Sequence, residues 1–297
     1  MTSTSVHVPR LAHAPALSLG AVALTVADLA RSTEYYRAVI GLRVLKQAAG
    51  YAALGADTPL VELHEEAGAA PANPGHAGLY HLAILLPSRA DLGRFVAHLI
   101  AEKRHIQGAS DHLVSEAIYL QDPDGHGIEV YADRDAASWS WQDGQVSMDT
   151  RAADIAGIVA SAGTDTQWRG VPAGTVMGHV HLRVSDLRVA RDFYSGLLGL
   201  DVVADLSQHG ALFVSQGGYH HHFGLNVWQS RGGSAARSGE ARLLWAQTYL
   251  PRDELELLRT RLVPAGLKLT EPGEQAAPPG FTVADPSGNL LRFGLKT

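Results

Sequence analysis

The chain contains no cysteine, so it forms no disulfide, offers no thiolate to a metal ion and has no cysteine nucleophile. Charge is also scarce, at 18% of 297 residues, and no cluster of Lys or Arg offsets the formal net charge of -6. That balance argues against a nucleic-acid or anionic-membrane partner and favours small molecules. No apolar stretch reaches the roughly 20 residues that a membrane-spanning helix needs. Arg10 followed by the apolar run Pro15 to Val26 has the outline of a short secretory signal. The same pattern recurs in mid-chain, from Met177 to Val184, where it reads as a strand. A folded first strand and a cytoplasmic protein are therefore expected.

What the chain does have is a 46% hydrophobic content, enough for two domains, and an internal repeat. The segment Val26 to Leu42 returns without a gap as Val184 to Leu200. Val26-Ala27-Asp28-Leu29 meets Val184-Ser185-Asp186-Leu187, Tyr36 meets Tyr194, and Gly41-Leu42 meets Gly199-Leu200. Leu86-Pro87 corresponds to Leu250-Pro251, and the turn Asp122-Pro123-Asp124-Gly125 to Asp285-Pro286-Ser287-Gly288. The chain is two similar halves, each of two units. A residue kept in both copies points to architecture, and one present in a single copy points to chemistry.

Patterning divides the chain into an N-terminal arm over 1–16, a first domain over 17–133, a connector over 134–175 and a second domain over 176–297. The first unit predicts a strand to Val26, a helix over 29–40 that Asp28 caps and Gly41 stops, and strands near 42–47, 51–55 and 60–64. The second repeats that order, with a helix over 89–103 and strands near Ile106, over 115–121 and over 127–132. The third runs from Met177 to Trp228 and the fourth from Arg242 to Leu295. The connector predicts a short helix over 152–162.

This α+β arrangement of four βαβββ units resembles the vicinal oxygen chelate superfamily, which includes glyoxalase I, bleomycin-resistance proteins and the extradiol dioxygenases. The stretches Asp111-His112-Leu113-Val114-Ser115-Glu116-Ala117-Ile118-Tyr119 and Tyr219-His220-His221-His222-Phe223-Gly224-Leu225-Asn226 resemble short-loop bacterial catechol 2,3-dioxygenases in particular. The resemblance implies a cup of strands from two units around one metal ion, with ligands on the first and last strand of a unit. At the first-strand position the four units carry Ala21, His81, His179 and Trp245; at the last-strand position, Glu62, Glu129, Asn226 and Arg292. His81, Glu129 and His179 then make the two-histidine, one-carboxylate set that suits Fe(II), or Mn(II), with open positions for other ligands. Such a set requires units two and three to share the active cup, leaving units one and four a cup that has lost its ligands.

The same resemblance implies a catechol-type substrate cleaved with O2 to a 2-hydroxymuconate semialdehyde, and a homo-oligomer. Tyr119, ten residues before Glu129, would bind a ring oxygen, and His112 would touch substrate. Strand alternation from Asn226 places His222 and His220 in the cup and His221 on the opposite face, so His222 is the expected acid/base group; His181, two beyond His179, also faces inward and is a weaker candidate for a group around the metal site. Two alternatives stay open at this point: another metal enzyme on the scaffold, such as a glyoxalase-type isomerase or a hydroquinone dioxygenase, and a bleomycin-resistance-like sequestering protein that is not an enzyme and needs no redox ion.

Overall fold

The computed structural model describes residues 17–271 and 280–296, and the arm expected over 1–16 lies outside them. The first unit is β1 (Ser18–Val26), α1 (Leu29–Tyr35), β2 (Arg43–Ala48), β3 (Tyr51–Gly55) and β4 (Pro59–Glu65). Asp28 starts the helix as read, its carboxylate accepting the Arg31 N–H, and a wider turn over Tyr36–Ile40 finishes it. The second unit is β5 (Gly78–Leu85), α2 (Arg89–Ala101), β6 (Gly108–Asp111), β7 (Ser115–Gln121) and β8 (Gly127–Asp133). A hairpin, β9 (Trp141–Gln142) with β10 (Gln145–Val146), then leads to β11 (Arg151–Ala152) and α3 (Ile155–Ala160).

The third unit is β12 (Val176–Arg183), α4 (Leu187–Arg191), β13 (Asp201–Leu206), β14 (Ala211–Ser215) and β15 (Phe223–Asn226). The fourth is β16 (Leu243–Leu250), α5 (Arg252–Leu262), β17 (Gly280–Ala284) and β18 (Leu290–Leu295). Two local expectations change. β6 begins at Gly108 rather than near Ile106, and the connector helix spans Ile155–Ala160 rather than 152–162, its start set back because Arg151 and Ala152 pair with Asp111 and Ser110 on β6.

The units do not pair in chain order. One sheet of seven strands runs β17-β18-β16-β1-β4-β3-β2 and joins units one and four. The other, of nine strands, runs β11-β6-β7-β8-β5-β12-β15-β14-β13 and joins units two and three. Within a unit the first strand pairs only with the last, in parallel, so its other edge is left open. An open edge of unpaired backbone groups is satisfied by another strand, and here first strand meets first strand antiparallel: β1 with β16, β5 with β12.

The two junctions share a register. Ala23 lies opposite Trp245 and beside Glu62; at the equivalent place Ala83 lies opposite His179 and beside Glu129. Alternation then sorts the faces. Val22, Leu24 and Val26 of β1, Leu82 and Ile84 of β5, and Val180 and Leu182 of β12 enter one apolar core with the helices, α2 adding Leu92, Phe95, Val96 and Leu99. The alternate residues, among them His81, His179 and His181, face the hollow of the sheet.

Residues kept in both halves do structural work. The Tyr36 hydroxyl donates to Asp122 Oδ2 at 3.2 Å and the Tyr194 hydroxyl to Asp285 Oδ2 at 3.1 Å. Each repeated tyrosine thus ties the helix of one unit to the Asp-Pro-x-Gly turn of the next.

Candidate metal centre and active cavity

His81 and His179 come from the two first strands that meet at the sheet's centre, and Glu129 from the strand beside β5. His81 Nε2 lies 3.0 Å and His179 Nε2 3.2 Å from the same oxygen, Glu129 Oε2. All three side chains are buried. Among the described residues they form the only set of three His, Cys, Asp or Glu side chains whose ligand atoms lie together, all within 4.8 Å of one another.

Burial alone would raise the Glu129 carboxyl, yet the His179 and His81 imidazoles hold it well below the usual carboxylate range. Burial outweighs the Glu129 charge at His179 and pushes that imidazole down to about 4. An ionised carboxylate beside a neutral imidazole is the protonation state a metal requires of its ligands. No Lys or Arg among the described residues pairs with Glu129, and His81 Nε2 makes no hydrogen bond of good geometry despite its nearness. A divalent ion would satisfy both, and two imidazoles with one carboxylate suit such an ion.

The cluster opens on a cavity of about 910 Å³. Tyr119 and His112 stand on one side of it. Tyr119 is directly paired with Glu129 across β7 and β8, and its phenol is pushed well above its ordinary range by burial and then by the Glu129 charge, so it stays protonated. His112 Nδ1 lies 2.8 Å from the Asp149 carbonyl oxygen and its Nε2 2.6 Å from the Tyr119 hydroxyl. A carbonyl only accepts, so Nδ1 carries the proton, and in neutral His112 the free Nε2 accepts from Tyr119. The phenol oxygen keeps its lone pairs for a ligand. The turn behind His112 is strained: Leu113 has φ of +69°, a conformation held by its N–H bond to Asp111 Oδ1.

The histidine run departs from the alternation read from Asn226. His221, not His222, lines the cavity, its ring 4.1 Å from that of His179 and 5.0 Å from Phe213. His222 lies behind, its Nδ1 2.8 Å from Ser215 Oγ, and burial pushes its imidazole down to about 3. The expected placement fails because β15 begins only at Phe223, and residues 219–222 are not extended strand to which alternation applies. They leave a turn in which Gly217 and Gly218 both have positive φ, 71° and 76°. His220 is also turned away from the cavity, bonded to Asp133. His181 does face the cavity, and Gly224 makes room for it: a Cβ there would come within 2.8 Å of the imidazole.

Sequence reading also passed over Asp133, which follows Glu129 and Tyr131 on one face of β8. In the other sheet the equivalent positions hold a different chemistry. The Arg292 guanidinium lies 3.9 Å over the Trp245 ring, and His64 Nε2 is 3.8 Å from Glu62 Oε2.

Three βαβββ units and a fourth that shows the same order with one strand fewer among the described residues, paired two and two, with a His-Glu-His cluster in the hollow of one sheet, define a class of protein as much as a fold, and sequence comparison agrees. Residues 18–130 and 176–293 match the glyoxalase/bleomycin resistance protein/dioxygenase superfamily, and the chain belongs to it. Within that family it is 43% identical over 281 residues to the catechol-2,3-dioxygenase of Bacillus subtilis, covering 93% of this chain and 96% of the relative, which marks it as a dioxygenase-like enzyme. The fold is shared more widely. Glyoxalase I from Zea mays superposes with a TM-score of 0.56 at 17% identity over 94% of this chain and 92% of its own. The cppA protein from Streptococcus pneumoniae does so at 0.58 with 11% identity, over 93% and 96%. No helix among the described residues is long and apolar enough to cross a membrane.

Proposed function

We propose that the chain cleaves a catechol-type ring beside its vicinal hydroxyls with O2, giving a 2-hydroxymuconate semialdehyde. The observation that carries this reading is the convergence of two imidazole nitrogens and one carboxylate oxygen within 4.8 Å at the wall of a cavity large enough for an aromatic ring. His81, Glu129 and His179 would hold Fe(II), with Mn(II) the alternative. Bound there, the ion would supply adjacent open positions for catecholate and O2 and a route for electrons between them.

The protein's own groups supply the rest. Tyr119, its proton directed to His112, presents phenol lone pairs to a ring hydroxyl and orients the substrate. His221 stands over His179 on the far side of the cavity and acts as the proton-transfer group, because an imidazole can take a proton from a hydroxyl and return it. Phe213, beside His221, gives an apolar wall against which a ring can lie and from which water is displaced.

The test is metal analysis of the purified protein together with O2 uptake. One iron per chain, and catechol and O2 consumed in equal amounts to a ring-opened product, are expected. Iron-loaded protein that consumes no O2 with catechol or alkylcatechols would overturn the reading.

A further inference from the structure

His221 is not alone. Its Nδ1 lies 2.8 Å from His220 Nδ1, and His220 Nε2 lies 2.8 Å from Asp133 Oδ1. The other Asp133 oxygen, Oδ2, accepts the Tyr219 hydroxyl at 3.0 Å, and the Tyr219 oxygen is 2.8 Å from the Tyr131 hydroxyl. His220 is fully buried, while the Asp133 side chain keeps 22% of its surface exposed. A continuous hydrogen-bonded line thus runs from the cavity wall, through a buried imidazole, to a carboxylate nearer the surface. We infer that Asp133 and His220 are positioning residues that fix which nitrogen of His221 carries its proton, so that His221 presents an unprotonated Nε2 to the cavity.

The assignment follows from donor and acceptor chemistry. A carboxylate only accepts, and Asp133 has both oxygens engaged, so His220 Nε2 is the donor. A neutral His220 with its proton on Nε2 has a lone pair on Nδ1. Two ring nitrogens 2.8 Å apart need one proton between them, and His220 has none to give on that side. His221 Nδ1 therefore donates. A neutral imidazole has a single N–H, so His221 Nε2 is left as a bare lone pair, and the bond at Nδ1 holds the ring's orientation. An imidazolium at His220 would reverse the chain, with His221 accepting at Nδ1 and its proton standing on Nε2. The two arrangements make opposite predictions for one atom.

β8 explains how the sequence builds this. Glu129, Tyr131 and Asp133 alternate onto one face, so a single strand carries a proposed metal ligand at its middle and the anchor of the line at its end. Tyr131 stands between them, its ring 4.9 Å from His179 and its hydroxyl steadying Tyr219.

This inference rests on the proposed role of His221, and its test separates the two. Ring 15N shifts of His221 are read in the metal-free full-length protein, assigned through their loss in His221→Gln, for the native protein, His220→Leu and His220→Gln. The native protein should show Nδ1 protonated and Nε2 bare. His220→Leu should lose that single tautomer and lower kcat on catechol about 10- to 100-fold, the usual size of an outer-sphere loss, with KM and iron content little changed. His220→Gln should restore both, since its amide oxygen accepts from His221 and its N–H2 donates to Asp133. A proton on Nε2 of native His221, or a His220→Leu protein with unaltered tautomer and kcat, overturns the inference. The native measurement decides even where His220→Leu fails to fold. Absence of catechol cleavage in the native protein would instead sink the proposed function and leave the 15N result to judge the relay.

Discussion

The repeated tyrosines give a test of architecture that is independent of chemistry, because their two carboxylate partners are not equally supported. Asp122 Oδ1 accepts the Asp124 and His126 N–H groups, and among the described residues its Oδ2 accepts only the Tyr36 hydroxyl. Asp285 Oδ1 likewise accepts from Ser287 and Asn289, but its Oδ2 has a second donor besides Tyr194, the Asn289 side-chain amide at 2.9 Å. Both carboxyls are raised above their ordinary range, first by burial, so neither is well served by water. Tyr36→Phe leaves one buried carboxylate oxygen without a donor and should cost about 1.5 to 3 kcal/mol, the range for hydrogen bonds to charged groups. Tyr194→Phe leaves the Asn289 bond in place and should cost about 1 kcal/mol. Urea unfolding of the metal-free protein, followed by far-UV circular dichroism and by tryptophan fluorescence, measures the difference where the two probes coincide and the slope is unchanged. A Tyr194→Phe protein destabilised as much as Tyr36→Phe would show that the count of donors does not govern these sites.

Two paired comparisons of substitutions test the metal centre and the proton-transfer group. His179→Ala should abolish stoichiometric iron binding, since loss even of outer-sphere partners costs about 10- to 100-fold in metal affinity, whereas Trp245→Ala, at the equivalent place in the other sheet, should leave iron content unchanged; full occupancy in His179→Ala refutes the shared cup. His221→Phe should slow turnover about 10²- to 10⁴-fold with iron still bound, as for other positioned proton-transfer groups. His222→Phe should stay near the native rate, and steady-state kinetics with the reverse ranking would return the role to His222.

How much of this was legible in the sequence depends on what each inference used. The pairing of units two with three followed from a resemblance and a repeat together: the resemblance to the vicinal oxygen chelate superfamily implies a cup of two units with ligands on first and last strands, and of Ala21, His81, His179 and Trp245, which occupy one first-strand position, two can bind a metal. The repeat fixes which residues are equivalent, while the ligand positions themselves are what the resemblance implies. The edge pairing of β1 with β16 and β5 with β12 gives its physical basis, since each unit exposes one open strand edge and unit order does not decide which edge closes it. The helix caps and the Asp-Pro-x-Gly turns were equally legible, being set by residues within a few positions of one another.

The histidine run was not legible in the same way, and the reason is specific. Alternation is a property of extended backbone, so counting back from Asn226 holds only as far as the extension does, and it stops at Phe223. What turns the chain beforehand is partly local, the Gly217-Gly218 pair, and partly distant: Asp133 draws His220 out of the cavity and bonds it to the imidazole of its neighbour. No spacing within Tyr219-His220-His221-His222 contains Asp133. Yet half of that contact was readable, since Glu129, Tyr131 and Asp133 must share a face of one strand, and a carboxylate at its end has to find a donor. A buried histidine run beside a strand with that pattern is better read by asking which imidazole each carboxylate claims first, and only then which one remains for the cavity.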